Sequence, residues 1–425
     1  MKKSLLLAGA AILFVVAAHV SAEPDAITFG PDDWPWWRGP SRNGVADPNQ
    51  KPPTKWSETE NIVWKTPVPG RGHGSPILVG DQIFLQTADA KEMTKTLLCY
   101  SRTNGKLLWQ KEIHRGPFPK NGNAKASHAS SSVACDGKRV YINFQHNDAI
   151  YTTALTRDGE QVWQTKVADY TLHQGFASSP AIYKGLVIVS ADNKSGKGAL
   201  AGLDRDTGKI VWTVTRPKLP NYASPIILKV NGRDQLFFIG CKLVTSLDPL
   251  TGKKLWETDG STEECVTSTV TDGLRIVSSG GYPKGHVAAI LADGSAKTAW
   301  EHKTRVYVPS LLERGGYLYA VQDNGVPICW KFDTGKQQWQ GDRIGSGFSA
   351  SPVLVGENIY ATSESGKTSI FKASPDSFQL IAENQLGNEV MATPTIAGSR
   401  IYMRVAVNQK GNRQEMLYCI GDAGR

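Results

Sequence analysis

The chain has 425 residues, with 48 Lys and Arg against 39 Asp and Glu, for a formal net charge of +9. The excess is spread thinly, with no dense basic run, so it describes a solvated surface and argues against a nucleic-acid partner. The N-terminal apolar run, Leu5 to Ala18, is too short for a membrane span, which takes about 20 residues.

In chain order, residues 1–22 join Lys2-Lys3, that apolar run and the small residues Val20-Ser21-Ala22, the pattern of a cleavable export signal. No Cys stands near the cleavage point, so no lipid attachment is expected there. The mature protein is expected in the periplasm or secreted, with no membrane span after cleavage, as a monomer. Residues 23–60 form a Trp- and Pro-rich arm, with Trp34, Trp36 and Trp37 inside Asp33-Trp-Pro-Trp-Trp-Arg-Gly-Pro. Its indoles are expected to pack on the wall or mouth of the domain beyond it, because buried indoles normally satisfy their N–H. The alternative is an aromatic platform for a ligand.

Residues 61–425 repeat one pattern. A Ser-Pro-like start recurs at Ser75, Ser132, Ser179, Ser224, Ser268, Ser310, Ser351 and Thr393. Each start is followed by short apolar strands, and most units close on a Gly turn and a Trp: Trp109, Trp163, Trp212, Trp256, Trp300 and Trp339. Strand-built units repeating at about 40–50 residues are propeller blades. Eight starts predict an all-β, eight-bladed propeller of four-stranded antiparallel blades. The last unit lacks its Trp strand, and Asn61-Ile62-Val63-Trp64 supplies one from the other end, so the N-terminal strand is expected to close the ring. The seventh unit departs furthest, with Ser374-Pro375 in place of the Gly turn and Leu380-Ile381 in place of Trp.

Of the six cysteines, Cys99, Cys329 and Cys419 fall in the strand before the turn, in a slot for a small buried side chain. Counting back from the turn Gly aligns that slot with Thr153, Gly202, Ser246 and Ala288. Cys135, Cys241 and Cys265 have no assigned role. Ser365-Gly-Lys-Thr lacks the leading Gly of a phosphate loop, and Gly70-Arg-Gly-His-Gly opens no helix. The residues just before each start lie on inter-blade connections at one end of the central channel. They carry Arg71, His73, His128, His173, Tyr222, Glu264, Arg305, Tyr307, Phe348 and Glu389. Imidazoles, carboxylates and aromatics converging on a funnel suit a small polar ligand or a peptide.

The unit Ser246-Leu-Asp-Pro-Leu-Thr-Gly-Lys-Lys-Leu-Trp256 resembles the docking repeat of pyrroloquinoline quinone (PQQ)-type propellers, with Gly202–Trp212 and Cys329–Trp339 close behind. The leading aromatic arm is similar to that of a bacterial exported subgroup of PQQ-like repeat proteins. The resemblance implies that Trp64, Trp109, Trp163, Trp212, Trp256, Trp300 and Trp339 pack between blades. Quinoprotein alcohol dehydrogenases of this type use a vicinal disulfide, a calcium ion held by Glu, Asn and Asp, and a catalytic Asp. This chain has no Cys-Cys pair. The expectation is therefore an exported binding or scaffold propeller with no required cofactor and no catalytic residue, taking a small-molecule or protein ligand of the cell envelope. The alternative is a quinoprotein-like oxidoreductase using PQQ with calcium.

Overall fold

The computed structural model describes residues 27–119, 122–196 and 198–422; the export signal expected at 1–22 lies outside them. The described residues form eight four-stranded antiparallel sheets and no helix. Neighbouring sheets touch through their innermost strands, as Ile77–Val79 does with Ala134–Cys135 and Ala181–Tyr183 with Ile226–Val230, and the eight build the propeller expected from the repeats. Blades 1 to 7 cover residues 77–115, 134–169, 181–215, 226–259, 270–302, 312–340 and 353–385. Blade 8 takes its three inner strands from residues 395–420 and its outer strand from Ile62–Val68, which pairs antiparallel with Asn412–Ile420. The ring is closed by the N-terminal strand.

The turn chemistry explains the repeat. In blade 4, Asp248 Oδ1 accepts from the Thr251 amide and hydroxyl, each at 3.0 Å, which pins the turn. Gly252 follows with φ +68°, and a Cβ there would stand 2.6 Å from the Trp212 ring of blade 3. Glycine is therefore required both by the left-handed backbone and by the indole lying on it. Trp64 of blade 8 covers Gly105 of blade 1 in the same way, so ring closure uses the same joint. Most of these indole N–H groups donate into the next blade: Trp109 to Arg157 O at 2.9 Å, Trp300 to Phe332 O at 2.8 Å and Trp339 to Ser374 O at 2.8 Å. Trp256 differs, donating to Gln235 Oε1 of its own blade at 3.2 Å.

Across the strand from each Trp lies a small residue. Cys99 faces Trp109, Cys329 faces Trp339 and Cys419 faces Trp64. In blades 2 and 5 the partner is Ala154 and Ala289, where counting back from the Gly pointed to Thr153 and Ala288. The turns there place the Gly one position earlier relative to the strand. All six cysteines are buried and unpaired.

Candidate functional site

The eight starts make a belt around the channel in two hydrogen-bonded runs, Ser75 to Ser224 and Ser268 to Thr393. Within each run a hydroxyl accepts the backbone N–H of the start before it: Ser132 from Ser75, Ser179 from Ser132 and Ser224 from Ser179, all at 2.9 Å. In the second run Ser310 accepts from Ser268, Ser351 from Ser310 and Thr393 from Ser351, at 2.9–3.0 Å. A hydroxyl is needed at this position because the amide of the neighbouring blade would otherwise be buried without a partner.

Below the belt, the N-terminal arm fills the channel. Trp34 exchanges both backbone hydrogen bonds with Leu78 of blade 1, and Cys135 of blade 2 donates to Pro35 O at 2.8 Å. Arg42 reaches Ile182 O of blade 3 at 2.6 Å. The buried Arg38 guanidinium donates to Leu311 O of blade 6 and Pro352 O of blade 7, and Leu354 pairs with Gly44 and Ala46. Trp37 lies at the centre, its indole N–H donating to Ser268 Oγ of blade 5 at 2.8 Å. Two voids of about 10 Å3 remain around it, at the lower limit for one water. The arm does pack on the propeller, but inside the channel, where it makes the floor.

Above Trp37 opens a cavity of about 500 Å3, within the size range of small-molecule sites. Of the ten residues expected at the mouth, His73, His173, Tyr222, Glu264 and Tyr307 line it. Glu264 is 4% exposed. Tyr307 donates to its Oε2 at 3.0 Å, and His173 Nδ1 stands 3.4 Å from Oε1 and 3.1 Å from the Tyr222 hydroxyl. Burial, then the Glu264 charge, pushes both phenol pKa values up, so the rings stay neutral hydrogen-bond donors. His73 stands before blade 1, across the ring from Glu264 before blade 5. Burial first, then Arg71, Arg404 and Arg413, holds its imidazole well below the usual histidine range, and its Nε2 has no partner.

The other five lie elsewhere. Arg71 pairs with Glu389 at 3.4 Å, and Arg413 clamps Glu389 at 2.9 Å and Glu415 at 2.8 Å. His128 stacks on Phe118 with centroids 4.7 Å apart. Arg305 donates to Gly281 O at 3.0 Å and lies over the Tyr307 ring. Phe348 is buried between blades 6 and 7, where Gly325 and Gly345 leave it room. The sequence pointed to Phe176 beside His173, and it does line the cavity, but Trp37 as floor, the Ser belt, and Tyr282, Gln174 and Lys125 in the wall were missed. The belt was visible as the repeat marker itself.

The donor set does not fit a quinone with calcium. Glu264 is the one carboxylate among the residues lining the cavity, and the cysteines are dispersed and unpaired. Calcium takes six to eight oxygen ligands, several of them carboxylate.

Comparison with known proteins places this architecture. A curated relative, "Outer membrane protein assembly factor BamB" of Yersinia pestis, is 24% identical over 381 residues, spanning 84% of this chain and 87% of the relative. The structure of BamB from Moraxella catarrhalis superposes with a TM-score of 0.59 at 16% identity, over 83% of this chain and 95% of that one. A europium-containing methanol dehydrogenase superposes with a TM-score of 0.67 at 11% identity, over 92% and 98%. At these identities the structural likenesses speak for the fold alone. The family described as outer membrane protein assembly factor BamB matches residues 54–172 and 95–341, more than half of the sequence, and the chain belongs to that family of PQQ-like propellers.

Proposed function

We propose that this protein is a binding propeller of the cell envelope that works in outer-membrane protein assembly and holds a ligand or partner segment in its blind central funnel. The family and relatives described as outer membrane protein assembly factors support the setting. The observation that carries the reading is the funnel itself: sealed below by Trp37, open above, and walled by aromatic rings, hydroxyls and one buried carboxylate. Such a wall recognises and orients, the work of a binding protein with no cofactor or catalysis of its own. Export and a monomeric state belong to the same reading.

The test is site-specific photocross-linking in cells. A photoreactive residue at Tyr282, 49% exposed on the funnel wall, should trap an envelope protein or segment. The same residue at Val211, 55% exposed on the outer strand of blade 3, should not. Adducts at Val211 alone would overturn the funnel as the docking site. Quinone-dependent alcohol oxidation by the purified protein would overturn the non-enzymatic reading.

A further inference from the structure

Glu264 is a buried carboxylate without a matching cation. Among the described residues its ion-pair partner is His173, which is charged only when protonated; no Lys or Arg pairs with it. The nearby Arg305 spends its guanidinium on Gly281 O and the Tyr307 ring. A carboxylate removed from water needs full compensation, and one phenol and one imidazole supply only part of it. The segment cannot swing out to water, because Glu264 is bridged to Tyr282 through the backbone, and the next amide, Cys265 N–H, donates to Asn221 Oδ1 at 3.1 Å. The same wall carries the rings of Tyr222, Tyr307, Tyr282 and Phe176. A carboxylate set among aromatic faces is the environment that favours an ammonium group, which gains charge pairing and cation–π attraction together.

The opposite wall points to a ligand independently. His73 and Ser75 belong to the cavity wall, and His73 Nε2 and Ser75 Oγ are buried without a hydrogen-bond partner. Buried polar atoms left unpaired are rare, and two together on a cavity wall mark where a bound molecule supplies the missing partner. The belt breaks at two starts: Ser268 Oγ takes the Trp37 indole N–H in place of an amide, whereas Ser75 Oγ has no partner.

We propose that the funnel binds a molecule bearing an ammonium group, held by Glu264 within the aromatic wall, with a hydrogen-bonding group at its other end that meets His73 and Ser75. An amine-bearing small molecule or the free end of a peptide has this chemistry. The inference rests on the funnel being a binding site and adds what it selects.

The test uses three probes of one shape at neutral pH, followed by calorimetry and by quenching of tryptophan fluorescence. Tyramine is a cation with a distal hydroxyl, tyrosol its neutral alcohol, and 3-(4-hydroxyphenyl)propanoate the anion. Tyramine should bind at least tenfold more tightly than tyrosol, and the anion should not bind. Glu264→Gln should bring tyramine down to the level of tyrosol while leaving tyrosol unchanged, and His73→Phe should weaken both equally. The comparison among probes on the unmutated protein stands even if a variant folds poorly. Equal binding of amine and alcohol, preference for the anion, or no binding of any probe overturns the ammonium assignment. Cross-links at Tyr282 without amine binding would defeat this inference alone. Amine binding without such cross-links would support it and defeat the partner reading instead.

Discussion

At the scale of single residues, two kinds of buried ring are separable by experiment. Trp212 is 9% exposed, lies on Gly252 of the next blade, and its indole N–H has no partner. Trp212→Ala should cost about 3–5 kcal/mol by denaturant melts, the usual figure for an aromatic core truncation. Trp212→Phe should cost much less. Trp300→Phe should cost about 1 kcal/mol more than Trp212→Phe, because it leaves Phe332 O without its donor; equal costs would show that these hydrogen bonds contribute nothing. His114 gives a pH test. It is buried against Phe144, Tyr151 and His146, and burial, His146 and Lys95 push its pKa down to about 3 from 6.5. The folded form therefore holds fewer protons than the unfolded chain below pH 6.5, and stability falls as pH drops from about 6.5 toward 3. The slope from this group is at most about 1.4 kcal/mol per pH unit. His114→Phe removes the titration, and Nε2 has no hydrogen bond to lose. Its melting temperature should match the parent's at pH 8 and exceed it at pH 5; parallel losses in both proteins would exclude His114 as the cause. The same scale shows what a sequence reveals about a site. Tyr307 and Phe348 stand equally far before their starts, Ser310 and Ser351, yet the tyrosine faces the cavity and the phenylalanine the core. Position along the repeat put both near the mouth. Only the packing space left by Gly325 and Gly345 turned one inward.

At the scale of elements, the arm and the closing strand have different duties. The arm, residues 27–60, seals the channel; the strand Ile62–Val68 completes blade 8. Deleting residues 27–60 should leave a folded propeller with a melting temperature lower by on the order of 5–10 °C. It should also lose tyramine binding, since the floor at Trp37 is gone. Deleting through residue 68 should give no cooperative melt, because two strand edges open at the seam. If both truncations melt alike, the strand does not close the ring. The sequence showed that the arm packs, through three tryptophans that no linker needs, but not where it packs. Its anchors are backbone groups, Leu311 O and Pro352 O for Arg38 and Ile182 O for Arg42, and carbonyls leave no complementary side chain to read. The closing strand was legible because the last blade visibly lacks a Trp strand that the chain start supplies.

At the scale of the whole molecule, the repeats made the blade number legible, because each repeat marker has its own physical role, as a belt hydroxyl, a pinned turn or an indole on a glycine. A closed ring of such units unfolds cooperatively. An open array of repeats can unravel from its ends, since each unit touches only its neighbours. Here the joint between blades 8 and 1, with Trp64 on Gly105, matches the joints between other blades, so no end is exposed. The six cysteines report on this without mutation. They lie at Cys99 in blade 1, Cys135 in blade 2, Cys241 in blade 4, Cys265 ahead of blade 5, Cys329 in blade 6 and Cys419 in blade 8. All are buried, and burial pushes the thiols of Cys99, Cys135 and Cys329 up to about 12 and that of Cys419 to about 11. Since the thiolate is the reactive form, the native protein should give no colour with a disulfide reagent. In rising denaturant all six should react at one midpoint that coincides with the loss of the strand signal. Two thiols missing from the denatured total would reveal a disulfide, and a staggered release would show that the ring unfolds blade by blade. In a variant weakened at the seam, Trp64→Ala, the release should split, with Cys419 and Cys99 first because they face Trp64 and Trp109 on either side of the joint.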